Sequence, residues 1–399
     1  MRAAIVGSGI AGLAASLVLR RRGDDVVILE RAPEIRPVGS GLLLQPPGLA
    51  ALRRLGLLEA ALASGERIVR LDGRTRTGRS VISLRYADWS PGAFGLGMHR
   101  GALWHLLHDA AVRAGAVIRG GAEVDGIEGD GPCAVRLATG EREGPFDLVL
   151  IAAGSRSALR ARAGFADRTR PYAWGAFYAT PAMPAGWPND TLQQRFDGTT
   201  TMMGVLPSGR DANGGGPWLA MFWSERLDRM EATRARGWDA WRAAALRLWP
   251  EARVVIDTLA GFQDFTVAAY ADVRVSQWVR GCVALIGDSA HGTSPQLGQG
   301  ATLALLDALA LGAALDAEAG TAAALRRYAL SRRSHARYYQ WASRILTAPF
   351  QSDGRALGFA RDALMGPMGT LPILRREFLA TLTGHKTGIL FGRLEPPEE

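Results

Sequence analysis

The chain opens on Ala3-Ala4-Ile5-Val6, a short unbroken apolar run that stops at Gly7-Ser8-Gly9-Ile10-Ala11-Gly12. No other feature narrows the possible folds as far. A strand that is apolar on both faces belongs inside a parallel sheet. The G-x-G-x-x-G spacing then gives each glycine its own part to play. Gly7 allows the tight turn, Gly9 lets a pyrophosphate come close to the backbone, and Gly12 lets helix and strand pack closely. The small-residue pattern from Ile10 to Arg22 is helical, Gly23 ends it, and Asp25 to Glu30 reads as a second buried strand. Strand, helix and strand within about 30 residues make a βαβ unit. The helix N-terminus offers N–H groups and partial positive charge to phosphates, Ile10 and Ala11 among them. Glu30 ends the second strand, where a carboxylate can take ribose hydroxyls, and Arg31 follows it. The pattern specifies a dinucleotide without choosing between NAD and FAD.

A second constellation makes that choice. Arg280-Gly-Cys-Val-Ala-Leu-Ile-Gly287-Asp288-Ser-Ala-His291-Gly-Thr-Ser-Pro295-Gln-Leu-Gly298-Gln299-Gly300 resembles the GD motif of the FAD-dependent aromatic hydroxylases, single-component flavoprotein monooxygenases with the para-hydroxybenzoate hydroxylase-like fold. The resemblance implies that Asp288 contacts the FAD ribityl chain. It also implies that the loop through Pro295, Gly298, Gln299, Gly300 and Ala301 lies along the isoalloxazine ring. Backbone N–H groups at the helix start that follows can stabilise negative charge on a reduced flavin. The segment Arg36 to Leu57, including Gln45, resembles the family's loop beside the flavin. Met98-His99-Arg100, followed by a helical pattern, resembles the family's arginine at the FAD phosphates. A third motif is altered: Asp147 to Arg160 aligns with a strand-to-turn segment ending in Ala-Asp-Gly, but Ala153 stands where the family has the aspartate, and Thr302 and Leu306-Asp307 also depart from the family pattern.

The fold this implies is α/β, with a discontinuous Rossmann-like FAD-binding domain (1–170 and 280–320), an inserted antiparallel-sheet substrate domain (171–279) and a helical C-terminal region (321–399). Residues 171–280 carry eight of the eleven tryptophans and alternating aromatic segments, as suits an antiparallel sheet with one face on a pocket or core. Residues 36–48, rich in Gly and Pro, are expected to be loop. Trp174, Met202, Trp218 and Phe222 are candidates for a pocket wall. Tyr172 and Tyr178, six residues apart on one face of a strand, are the candidates for a base that would activate a phenol. The C-terminal stretch 345–382, apolar with interspersed arginine, is expected to be a helical cover over the substrate cleft.

The implied chemistry is reduction of FAD by NADH or NADPH, reaction with O2 to a flavin C4a-hydroperoxide, and hydroxylation or epoxidation of an aromatic or apolar small molecule. A halogenase sharing the FAD domain is the chief competitor, but its chemistry depends on a lysine and the only lysine is Lys386. A reductase or desaturase of the geranylgeranyl reductase type, which Ala153 favours, and a non-enzymatic flavin redox sensor are further alternatives.

The net charge of +9 rests on arginines scattered along the chain, which reads as composition and points to no nucleic acid. Two cysteines far apart in sequence exclude a disulfide framework and fit a reducing compartment. The six histidines show no metal-ligand spacing. No leader is visible, and the most apolar stretch, Ala301 to Leu315, is interrupted by Asp307 short of the ~18 residues that span a bilayer. The expectation is a cytoplasmic monomer or homodimer with no stable membrane insertion.

Overall fold

The computed structural model describes residues 1–35, 39–129, 131–368, 371–389 and 392–394. Strand β1 (Arg2–Val6), helix α1 (Ile10–Arg21) and strand β2 (Asp25–Leu29) form the expected βαβ unit, with β1 and β2 parallel in register from Arg2 opposite Asp25 to Val6 opposite Leu29. Ala3 to Ile5 are fully buried, as a central parallel strand requires. The segment expected to be loop is structured at its end: β3 (Gly41–Leu44) leads into α2 (Pro46–Arg54), while 36–38 lie outside the described residues. Leu42 to Leu44 supply apolar side chains for a strand, and Pro46 and Pro47 suit a helix start. Further along the chain are β4 (Gly95–His99), antiparallel to β3, and α3 (Arg100–Arg113).

Strand β5 (Val117–Arg119) adds to the far side of β2. A three-stranded meander over 124–146 then delivers the chain to β6 (Leu148–Ile151), which lies parallel to β1 on its other side. Adjacent strands therefore leave β1 in opposite directions of chain order. That is the topological switch point at which doubly wound sheets bind ligands.

The second sheet has seven strands: β7 (Asp167–Ala179), β8 (Thr191–Asp197), β9 (Thr201–Gly209), β10 (Trp218–Arg226) and β11 (Thr266–Val275), joined by Arg70–Thr75 and Ser80–Arg85 from the first third of the chain. One face carries Phe177, Met203, Val205, Leu219, Met221 and Trp223, sealed by helical segments within 230–256. Several tryptophans that suggested strands sit there instead. Trp238, Trp241, Ala245 and Leu248 follow a helical spacing, and Trp238 stacks on Trp241 at 4.8 Å.

The chain then returns to the first sheet through β12 (Val279–Arg280) and β13 (Val283–Leu285), the latter parallel to β6. Helices α4 (Asp288–His291) and α5 (Gly300–Ala317) follow. By length and composition α5 could cross a membrane, contrary to the expectation that no apolar run is long enough. Its packing against α1, α2 and α6 (Thr321–Phe350) explains its apolar surroundings: it is apolar all round because helices surround it. Helices α7 (Arg355–Met368) and α8 (Pro372–Leu382) complete the C-terminal region. Phe350 and Leu346 of α6 pack with Met202 and Phe222, and Leu379 and Leu382 of α8 pack with Leu206 and Ala220, so these helices cover the second face of the large sheet.

Cys133 and Cys282 form a disulfide with Cα atoms 6.4 Å apart, a pairing that the sequence did not announce. Their separation in sequence concealed their proximity. The meander strand that carries Cys133 pairs with the one that leads into β6, and Cys282 precedes β13, the neighbour of β6.

Candidate flavin and substrate site

The glycine turn has the geometry the motif requires. Gly7 has φ +108°, and a Cβ there would come within 2.6 Å of the Ala152 carbonyl; a Cβ on Gly12 would lie 2.1 Å from the Gly7 carbonyl oxygen. Gly9 is the opposite case. It is exposed, and a Cβ on it would meet nothing within 4 Å. Ile10 and Ala11 bury their side chains and leave only backbone toward this opening, and no side chain caps α1. Exposed Gly9 thus gives access to the N-terminus of α1, whose first N–H groups have no intrahelical partner. Ser8 N–H and Oγ–H both donate to Glu30 Oε2 at 2.9 Å, Ala32 N–H donates to Oε1 at 3.1 Å, and Trp104 Nε1–H fixes the Ser8 carbonyl at 2.8 Å. Glu30 is therefore held in place with acceptor capacity to spare, and Arg31 is exposed beside it.

The GD segment ends its strand at Gly287, φ +61°, where a Cβ would lie 2.6 Å from that of Ala11. Asp288 is exposed, and its carboxylate lies 3.9 Å from where a Cβ of Gly300 would be. The loop continues through exposed Pro295, Gly298 in the left-handed region at φ +62°, exposed Gly300 and half-buried Ala301. Gly9, Asp288 and Gly300 all present open backbone or carboxylate at the C-terminal ends of β1 and β13, across the switch point. Two side chains in the adjoining segments are buried with an unused polar group. Gln45 accepts from Tyr86 Oη–H at 2.7 Å, but its Nε2 has no partner; Gln299 donates to the Leu382 carbonyl at 2.8 Å, but its Oε1 has none. Open cradle, helix N-terminus, exposed carboxylate and orphaned amide groups are the donor and acceptor set that FAD needs, so the residues present fit that cofactor.

Arg100 starts α3, and its aliphatic stem lies over Gly39, where a Cβ would sit 2.7 Å from the arginine Cδ. Beyond Gly39 a cleft of about 400 Å³ is lined by Ser40, Tyr178, Thr180, Trp218, Thr258 and Thr266, among others. Of the four pocket-wall candidates only Trp218 lines it. Trp174 and Met202 are buried, and Phe222 stands behind Tyr178 with ring centroids 5.8 Å apart.

The two tyrosines are not brought together. The pairing of β7 with β11 is irregular between Pro171 and Gly175, so Tyr172 lies in a break of the ladder, beside Thr293 and Ser294. Tyr178 instead accepts a hydrogen bond from Tyr270 Oη–H at 3.3 Å. Burial pushes both phenols upward in pKa, and neighbouring hydroxyls offset only part of that. Raised phenol pKa values keep both side chains protonated at neutral pH.

Sequence patterns gave no sign of what secures the GD segment. Asp307, fully buried on α5, accepts from Gly287 N–H at 3.0 Å, from Arg332 Nε at 2.8 Å and lies 2.6 Å from His291 Nε2. Burial alone would raise its carboxyl, but His291 and Arg332 outweigh that and hold it at about 2. Arg332 Nη1 also donates to His335 Nδ1, and His335 Nε2–H donates to the Gly384 carbonyl, each at 3.0 Å. Burial and the Arg332 charge push His335 down to about 3, so the ring is neutral. Where the family has an aspartate, the Ala153-Gly154-Ser155 turn is held by buried Arg160, whose Nη1 and Nη2 donate to the Gly154 and Ser155 carbonyls at 2.9 and 2.7 Å. Lys386 is buried and ion-paired to Glu377, so it is not placed for a halogenase relay.

The model of a protein family described as "FAD binding domain" matches residues 1–340. The chain belongs to the FAD-dependent aromatic hydroxylases. Among curated members of this hydroxylase family it is 32% identical over 335 residues to the aurachin C monooxygenase/isomerase of Stigmatella aurantiaca, covering 81% of this chain and 83% of that one. It is 27% identical over 382 residues to the 2-heptyl-3-hydroxy-4(1H)-quinolone synthase of Mycobacteroides abscessus, covering 92% and 93%. The crystal structure of Klebsiella pneumoniae HpxO complexed with FAD and uric acid superposes with a TM-score of 0.81 at 23% identity, over 96% of this chain and 97% of that one, and shows that the hydroxylase fold is shared.

Proposed function

We propose that this FAD-dependent monooxygenase uses NADH or NADPH and O2 to hydroxylate or epoxidise a planar, fused nitrogen heteroaromatic of the quinolone class. The exposed run of Gly9, Asp288 and Gly300 across the switch point carries the reading, since it offers a dinucleotide its phosphate, ribityl and ring contacts in order. The quinolone in the name of one relative supports the substrate class. So does the mixture of aromatic rings and hydroxyls around the 400 Å³ cleft, which suits a flat ring with polar edges.

When bound, FAD supplies the redox and oxygen-activating chemistry. The chain's residues do the rest. The first turn of α1 and Arg100 hold the phosphates, Glu30 the ribose and Asp288 the ribityl hydroxyls. The start of α5 would turn its N–H groups and the positive end of its dipole toward the flavin ring. Trp218 and Tyr178 flank the substrate, and the hydroxyls of Ser40 and Thr180, themselves linked at 2.9 Å, orient its polar edge. The C-terminal helices over the sheet exclude water from the reacting atoms.

The test is to purify the protein, record its flavin absorbance and follow NADH and NADPH oxidation with oxygen uptake and product mass on 2-alkyl-4-quinolones. A protein that takes up no FAD on reconstitution would end the reading. One that consumes NAD(P)H without oxygenating any such ring would end the substrate assignment. Asp288→Ala is expected to lower flavin retention.

A further inference from the structure

Apart from the run of Gly9, Asp288 and Gly300, a second cleft of about 500 Å³ opens between the start of β7, the end of β11 and one face of α6, and its walls carry Arg168, Arg274, Arg337 and Arg344. The fold imposes this grouping. Arg168 stands directly opposite Arg274 in the antiparallel ladder, and Arg337 and Arg344, seven residues apart, share one side of a helix. Arg333, one turn before Arg337, adds its charge to burial in opposing the charge on Arg337.

The carboxylates within reach are already engaged. Asp272 is shared by Arg274 Nε at 3.0 Å and Arg344 Nε at 3.3 Å, and Asp167 serves Arg160 Nε at 3.3 Å and Thr169 Oγ1–H at 2.8 Å. Arg168 and Arg337 have no ion-pair partner among the described residues. Arg333 donates only to the Ser276 carbonyl, and its buried Nε makes no hydrogen bond. Four arginines thus line one concavity whose wall carries a single carboxylate, Asp167. A cleft in which one sign of charge predominates focuses its field on a counter-ion.

We infer that this cleft binds a phosphate group, as a phosphomonoester or diphosphate, at a site distinct from the flavin strip and independent of the oxygenation reading above. Planar guanidinium forks match phosphate oxygens in pairs, and a dianion with three acceptor oxygens answers several unpaired donors at once, where a carboxylate answers two. The group can belong to a soluble ligand, such as free phosphate or a nucleotide phosphate, or to a lipid headgroup.

Calorimetric titration of the FAD-loaded full chain with inorganic phosphate tests the site, with the double variant Arg168→Gln/Arg337→Gln beside the wild type. Neither residue has an ion-pair partner to orphan, and flavin absorbance and melting temperature verify that the variant is folded. The wild type is expected to bind, and the variant to bind at least about tenfold more weakly with unchanged flavin content. Absence of binding to the wild type, or equal binding to both, overturns the inference. Two further readouts locate the source of the phosphate. A higher KM for NADPH with NADH unaffected assigns a nucleotide phosphate, and lost co-sedimentation with phosphatidic acid vesicles at unchanged KM assigns a lipid headgroup. Weakened phosphate binding with neither readout moved assigns free phosphate.

Discussion

Replacing Asp307 by Asn removes one charge from a fully buried cluster and leaves the shape nearly intact. The carboxylate serves Gly287 N–H, Arg332 Nε and the His291 ring. The amide keeps one acceptor oxygen and turns an N–H2 group toward the remaining donors. Two routes give the magnitude. Breaking a buried ion pair by removing one partner costs about 3–5 kcal/mol, and the asparagine carbonyl recovers part of that. Independently, the fall of the Asp307 pKa from 3.8 to about 2 corresponds to about 2–3 kcal/mol at roughly 1.4 kcal/mol per unit. A depressed carboxyl pKa stabilises fully above its unfolded value and is lost as pH falls through the folded one, so this contribution is complete above about pH 5 and gone below about pH 2. At roughly 2 cal/mol/K of unfolding entropy per residue, a loss of 2–4 kcal/mol lowers the melting temperature of a 399-residue chain by about 2–5 °C. The assay is scanning fluorimetry of the FAD-loaded wild type and variant at pH 7, with flavin release followed in the same run. Since Asp307 fixes the backbone that presents Asp288, the variant is also expected to release flavin earlier. A variant that melts within 1 °C of wild type and keeps its flavin would show that this cluster does not secure the GD segment.

His335 is neutral in the fold with its pKa near 3, so its contribution is intact above about pH 6.5 and erodes as pH falls toward 3. The melting temperature of His335→Gln is therefore expected to fall less than that of wild type between pH 6.5 and 5, and parallel decline would refute this. The Cys133–Cys282 bridge closes a loop with a sequence separation of 149, worth roughly 2–4 kcal/mol; Cys133→Ser should melt several degrees lower, and thiol labelling of both cysteines in the unreduced native protein would disprove the bond. Gly9→Ala adds a methyl group in open space at an unstrained φ of −73° and should leave the melting temperature of the apoprotein unchanged while weakening FAD binding. Gly12→Ala drives a methyl group to 2.1 Å from the Gly7 carbonyl and should destabilise the apoprotein itself; equal effects of the two on the apoprotein would refute the division of labour between the glycines.

What could be read in the sequence was local. The βαβ start and the GD loop are legible because turn, helix start and carboxylate must follow one another at fixed spacing, whatever surrounds them. Strands Arg70–Thr75 and Ser80–Arg85 belong to the large sheet through pairing with β8 more than a hundred residues away, and no periodicity within 70–85 can announce its partner. The tryptophans at 238 and 241 suggested strands because aromatic composition was read without its period. Asp307 and Arg160 were passed over for a related reason. Each is an ordinary charged residue until the fold encloses it, and its role comes from the groups that burial leaves it to satisfy.

Those buried charges also join parts of the chain that the sequence keeps apart. From Gly287 the hydrogen-bond path runs through Asp307, Arg332 and His335 to the Gly384 carbonyl, just beyond α8. A second path leads from Gln299, inside the loop proposed to lie along the ring, to the Leu382 carbonyl at the end of the same helix. The C-terminal turn is thus tied twice to the segments that present Asp288 and Gly300, while α8 packs Leu379 and Leu382 onto the large sheet. A displacement of α8 must stretch one of these buried links or carry the loop with it, since leaving either end of such a link unpaired costs more than shifting both. The covering helices and the flavin loop therefore act as one mechanical unit. The helical C-terminus, where the resemblance in sequence is weakest, is in this way part of the site.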